Sequence, residues 1–259
     1  MKTWTDFESM LAEVADSAVI FLGEQHDDKP THRLQLAFLE GLSRRRNQVV
    51  VAMEMFERDT QPLLDAYLQG RLTETEFLAQ SRPWNNYAED YKPIVEWARK
   101  QAKRVVASNA PRRLARLVSI YGPDILQKLE LQDRKLVASE ISYDRDVYYD
   151  RFVEAMGMNP HESGSTLERL FQAQCLKDDT MAETILQILT VLGGARSVIV
   201  HINGDFHSAY RLGVVVRTQR RLPQAKIKVI SFVPVADIDS VDTTAHEGRA
   251  DYVVFTLAR

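Results

Sequence analysis

The run Ser17-Ala18-Val19-Ile20-Phe21-Leu22 stops at Gly23, and Glu24, Gln25, His26, Asp27 and Asp28 follow at once. The run is short, β-branched and aromatic, so it reads as a strand buried on both faces. A strand buried on both faces is what a parallel sheet covered by helices requires. Gly23 is expected to give the backbone a turn that other residues resist. Glu24, Gln25 and His26 then stand past the carboxyl end of the strand, the edge where open α/β sheets bind ligands.

The rest of the chain supplies the partners of this strand. Phe7, Met10, Leu11 and Val14 recur at helical spacing before it, and Asp27-Asp28-Lys29-Pro30 starts a helix after it, with Leu34, Phe38 and Leu42 on its buried face. Residues 48–56 are a second strand with Glu54 at its end. Helical patterns over 60–80 and 91–102 flank a loop at 82–87 rich in aromatics and amides. A third strand, 104–108, ends at Asn109, with Pro111 opening a helix. Between 111 and 194 no strand pattern appears, and helices are expected over 112–120, 144–156 and 167–192. This stretch reads as a helical insertion or lid within one domain spanning 1–259. A fourth strand, 196–202, stops at Asn203-Gly204-Asp205-Phe206-His207. A helix to about Leu222 leads to strands at 227–233 and 252–257. Strands alternating with helices predict a three-layer α/β/α sandwich with a mostly parallel sheet. Right-handed crossovers collect Glu24, His26, Glu54, Asn109, Asn203, Asp205 and His207 on one edge.

Bulk properties remove several functions. A net charge of −3 in 259 residues argues against a nucleic-acid footprint. The arginines at 44–46 and 217–221 fall late in predicted helices, where cations suit the helix dipole. Cys175 is the single cysteine, so neither an internal disulfide nor a thiolate cluster can form. No segment approaches the roughly 20 apolar residues of a membrane span. With no signal core and no lipid-accepting cysteine at its start, the chain as given reads as cytoplasmic, or as periplasmic or membrane-anchored if a leader was removed.

The carboxyl edge carries the chemistry. His26 and His207 with Glu54 form a candidate divalent-metal set with room for water or substrate. Glu24 is a further ligand or a base that activates water, and Asp205 or Asn203 could orient a histidine. In the competing reading these residues cap helices and satisfy loop backbone, as Asp27, Asp28 and Asn109 look placed to do. His26 and His207 both repeat Gly-x-x-His after a strand, which favours a functional role. As metal ligands on a surface, each should cost only ~1 kcal/mol of stability when replaced by alanine. His32 reads as a helix-surface residue, His161 and His246 as solvated, and Met156, Met158 and Met181 as core filler. Tyr148 and Tyr149 either pack with wet hydroxyls or supply an oxygen ligand to ferric haem. No phosphate loop and no Gly-x-Ser-x-Gly elbow follows any strand.

Gly23-Glu24-Gln25-His26, Glu54-Met55-Phe56, Ser108-Asn109-Ala110-Pro111-Arg112, the stretch from Gln174 to Ala182 and Asn203-Gly204-Asp205-Phe206-His207 occur in that order. Together they resemble the ChaN-like haem-binding uptake family, in the group that includes Tiki proteases and erythromycin esterase-like hydrolases. The resemblance implies a three-layer α/β/α fold and one of two functions. The first is haem binding, with a role in iron uptake, at a homodimer interface through a tyrosine; Tyr148, Tyr149 and His161 are the candidate haem-site residues. The second is a metal-dependent hydrolase using His26, Glu54 and His207, with Glu24 as base. Phe206 stands where the family often has a small residue, and is expected to narrow the pocket.

Overall fold

A computed structural model describes residues 4–157, 164–191 and 197–258. Among these residues the elements are α1 (Phe7–Val14), β1 (Val19–Glu24), α2 (Lys29–Ser43), β2 (Gln48–Glu57), α3 (Gln61–Leu68), α4 (Glu74–Ser81), α5 (Lys92–Lys100) and β3 (Arg104–Asn109). Then come α6 (Arg112–Tyr121), α7 (Leu131–Arg134), α8 (Val147–Ala155), α9 (Ser165–Val191), β4 (Ser197–Gly204), α10 (Gly213–Arg221), β5 (Ile227–Val235) and β6 (Tyr252–Leu257). The strands form one sheet in the order β3-β2-β4-β1-β5-β6, with every pairing parallel.

The alternation of side chains along β1 builds the three layers. Ile20 and Leu22 face one core, which takes Leu11 and Val14 of α1, Phe38 and Leu42 of α2, and Ile94 of α5. Val19 and Phe21 face the other, filled by Met181, Ile185 and Ile188 of α9 and Val214 of α10. Burying each large apolar side chain contributes about 1.5–3 kcal/mol before the entropy cost of ordering it. The long α9 is thus one outer layer of the sandwich as well as part of the helical stretch between β3 and β4. Its first half packs instead against α6 and α8.

Several local expectations change. The helical pattern over 60–80 divides into α3 and α4, because Thr73 and Glu76 form a reciprocal capping box that starts a new helix. His32 is not on a surface: it is 4% exposed, its ring set edge-on to Tyr91 at 5.0 Å. Asp28 caps α2 by accepting from the Thr31 amide. Asn109 caps nothing and instead donates to the Glu54 carbonyl at 3.1 Å. Met156 is exposed, whereas Met181 is core; His246 packs edge-on to Phe255. Met158 and His161 lie outside the described residues.

Gly23 is not a turn. It lies inside β1, paired with Asn203 and Ser231. Its role is space: a Cβ there would come 2.5 Å from Asp205 Oδ1 and 2.8 Å from Ser208 Oγ. Gly23→Ala is therefore expected to overpack the edge and cost about 1–3 kcal/mol, read as a lower midpoint in chemical unfolding. An unchanged midpoint would show that the edge can yield at no cost.

Candidate functional site

Parallel pairing brings the carboxyl ends of β1, β2, β3 and β4 to one edge. Glu24 closes β1 and is 1% exposed. One carboxylate oxygen accepts from the Tyr91 hydroxyl at 2.6 Å and from His26 Nδ1 at 3.0 Å, and the other accepts from Gln35 Nε2 at 2.7 Å. Burial opposes its ionisation, but the bonds from His26, His32 and Tyr91 prevail and hold its carboxyl below the usual range. With its oxygens committed this way, Glu24 orients His26.

The His26 side chain is 42% exposed. Its ring lies against Gly204, where a Cβ would come 2.7 Å from Nε2, and edge-on to Trp84 at 4.8 Å. Burial works against a charged His26, yet the Glu24 bond and the charge of Glu54 raise its pKa.

Glu54 and His207 meet deeper in the edge. Nε2 of His207 lies 3.2 Å from Glu54 Oε1 as an ion pair, and Nδ1 donates to Asp178 Oδ1 at 2.6 Å. The Gly204 amide donates to the other Glu54 oxygen at 2.7 Å. Burial would discharge this imidazole, but two carboxylates on its two nitrogens push its pKa up to about 10. The same cation, together with His26 and the Gly204 amide, overcomes burial and holds Glu54 well below the carboxylate range. His207 is therefore an imidazolium clamped between two anions. Tyr148 donates its hydroxyl to the second oxygen of Asp178 at 2.7 Å.

Asp178 lies in the stretch from Gln174 to Ala182 that carries part of the family resemblance, but it was given no role there. Its other signal is that it is an acid on the apolar face of α9, in register with Cys175 and Ala182. Asp205 does not orient a histidine: it pairs with Arg249 at 2.5 Å. Asn203 does orient one, the buried His201, whose Nδ1 donates to Asn203 Oδ1 at 3.0 Å. Burial pushes the pKa of His201 down to about 4, so this ring is neutral and accepts from the Ser108 hydroxyl.

Among the described residues, no three His, Cys, Asp or Glu side chains are placed to hold a metal ion. A protonated imidazole has no lone pair to give, so His207 would have to lose a proton from one ring nitrogen before it could ligate a metal.

Next to this polar cluster is a pocket of about 260 Å³, lined by the polar and charged residues Gln25, Arg151, Glu154, Asp205 and Arg249, by Tyr148 and Tyr210, and by the apolar Ala155, Phe206, Ala209 and Leu212. Phe206 does line it, as expected, with its ring 5.2 Å from that of Tyr148. Tyr148 is 2% exposed and is spent on Asp178. Tyr149 is buried, with Arg145 over its ring, and does not line the pocket. Tyr210 is the half-buried tyrosine of this pocket, and sequence reasoning missed it. Its backbone is left-handed at φ 59°, as is that of Arg211 after it, and its amide is tied to the Arg249 carbonyl at 2.6 Å. Left-handed backbone costs roughly 1–2 kcal/mol per residue for a side chain of this kind. Strain of this sort clusters at functional sites.

Comparisons with known proteins agree with this architecture. ChaN of Campylobacter jejuni, solved with cofacially bound haem, superposes with a TM-score of 0.69 at 19% identity over 96% of this chain and 91% of that one. An erythromycin esterase, EreC, superposes with a TM-score of 0.53 at 12% identity over 89% of this chain and 74% of that one. At these identities the likeness is one of fold. A curated relative, the chloroplastic protein RETICULATA-RELATED 5 of Arabidopsis thaliana, is 23% identical over all of this chain, which spans 37% of the relative's length. The family model for haem-binding uptake proteins of the Tiki superfamily, ChaN, matches residues 10–218, four of the six strands and the edge residues Glu24, His26, Glu54, Asp178 and His207, and the chain belongs to that family.

Proposed function

We propose that the chain binds haem at the pocket beside the sheet edge, with Tyr210 as the oxygen ligand to the iron. The observation that carries this reading is a half-buried tyrosine with strained backbone, flanked by Arg151 and Arg249, that lines a pocket shared with Phe206, Ala209 and Leu212. Tyrosine oxygen is an established axial ligand to haem iron, and bound haem would supply the iron and its redox and ligand-exchange chemistry. The chain's own residues would orient the phenol, cover one side of the macrocycle with Phe206, Ala209 and Leu212, and keep Tyr148 out of the ligand role through Asp178. At about 260 Å³ the pocket is smaller than the roughly 300–1,000 Å³ that bury a drug-sized ligand, so a porphyrin would be covered on one side only. A second copy of the chain is the proposed cover for the other side, and haem or iron handling is the proposed setting.

Titrated hemin should give a shifted Soret band that saturates at a fixed stoichiometry. Non-saturable uptake, as by an unrelated protein, would sink the reading.

A hydrolase is the second reading, favoured by the Glu24–His26 bond. A carboxylate that fixes one imidazole nitrogen leaves the other to take a proton, so His26 rather than Glu24 would be the base. As a metal-dependent enzyme it would draw ligands from His26, Glu54 and His207, and bound metal measured on wild type and His26→Ala tests that form.

A further inference from the structure

The two arginines on the Tyr210 ring are not equivalent. Arg249 lies 5.8 Å from the ring centroid and its charge is met by Asp205, which is buried. Arg151 lies 3.4 Å from the centroid, stacked on the ring. Among the described residues no carboxylate comes within ion-pairing distance of Arg151. Glu154, on the next turn of the same helix, lines the pocket but is exposed to water, where its field is weak.

The position of Arg151 is built rather than incidental. Asp146 caps α8 by accepting from the Tyr148 amide at 2.9 Å, and Gly157, left-handed at φ 69°, lies just past the helix end. Between these stops α8 buries Tyr148, Tyr149, Phe152 and Val153. Arg151 is on the side of the helix that faces the pocket. Stacking on Tyr210 has already taken up much of its rotamer freedom, so little more is lost when it closes on an anion.

We propose that Arg151 is the residue that selects a carboxylate-bearing planar ligand, by pairing with a carboxylate at the edge of the macrocycle while the face of the ring meets Tyr210. The assignment rests on the haem reading above and adds a specificity that the reading does not require. A planar guanidinium offers two parallel donors matched to a carboxylate, which lysine cannot reproduce. Arg249, neutralised by Asp205, instead holds the Tyr210 loop through its carbonyl.

The test compares hemin with its dimethyl ester, in which both carboxylates are esterified, in one water–organic mixture with absorbance titration as the readout. Wild type should bind hemin about tenfold or more tightly than the diester. Arg151→Gln should lose that preference and bind the two alike, and Arg151→Lys should restore only part of it. Equal wild-type affinity for hemin and diester would overturn the role of Arg151 while leaving haem binding intact. Saturable binding of neither would overturn both. The wild-type comparison needs no variant to fold, and circular dichroism checks the two substitutions.

Discussion

His207→Ala is expected to destabilise the folded chain by about 3–5 kcal/mol near neutral pH, the usual result of deleting one member of a buried ion cluster. The variant leaves Glu54 and Asp178 facing each other in a dry edge without the cation that both now share. His207 is 6% exposed, so in the intact edge the two carboxylates depend on it rather than on bulk water. The effect carries a pH signature. The folded pKa of His207 is about 10, above the ordinary histidine value of 6.5. Its stabilisation is therefore fully present below about pH 6.5 and is lost as pH rises through 10. Glu54, depressed by the same contact, contributes above its unfolded value and loses that contribution as pH falls through its folded one. Urea unfolding at pH 6.5 and pH 10 should show a wide gap between wild type and variant at the lower pH and a narrow one at the higher. A gap under about 1 kcal/mol at both, with bound metal lost, would instead restore the picture of a surface-lining metal ligand. That mild cost is what the sequence led one to expect, since the histidine follows a strand rather than sitting in one. It did not foresee that α9 would roof the residue.

Tyr210→Phe should weaken hemin binding by roughly 10–100-fold or more, on the scale seen for losses in and around metal ligand sets. The substitution removes one oxygen and keeps the ring on which Arg151 is stacked. Circular dichroism should not change, and the Soret maximum of whatever binds should move if the Tyr210 oxygen is the one that would hold the iron. Tyr148→Phe is the paired measurement. It removes a donor to Asp178 and should act on stability first, because Asp178 also holds His207. If Tyr148→Phe abolished binding while Tyr210→Phe left it unchanged, the ligand would be Tyr148 after all.

Much of the site was legible in the chain because strands announce their own ends. A short apolar run closed by Gly-Glu-Gln-His, Glu54 or Asn-Gly-Asp-Phe-His places those residues on one edge as soon as the sheet is parallel. The edge contacts agree: Asn109 reaches the Glu54 backbone, the Gly204 amide reaches the Glu54 carboxylate, and the His26 ring lies on Gly204. Their roles were not legible, because a role depends on what arrives from elsewhere. Glu24, expected as a further ligand or a base, is engaged by Gln35 of α2 and by Tyr91, just ahead of α5. Tyr210 and Arg151 are 59 positions apart, with no periodicity linking them; the geometry of α8 against the turn after β4 brings them together.

Local hydrophobic pattern and chain punctuation therefore determined the α/β class, the strands and the edge that carries the polar residues. These are short-range properties written in consecutive side chains. Only the tertiary structure decided which histidine is charged, which carboxylate accepts from it and which tyrosine stands at the pocket. Those outcomes depend on burial and on single long-range contacts. Removing water from Glu54, His207 and Asp178 makes each contact strong and sets the charge of each group, and no spacing along the chain records where the water is excluded.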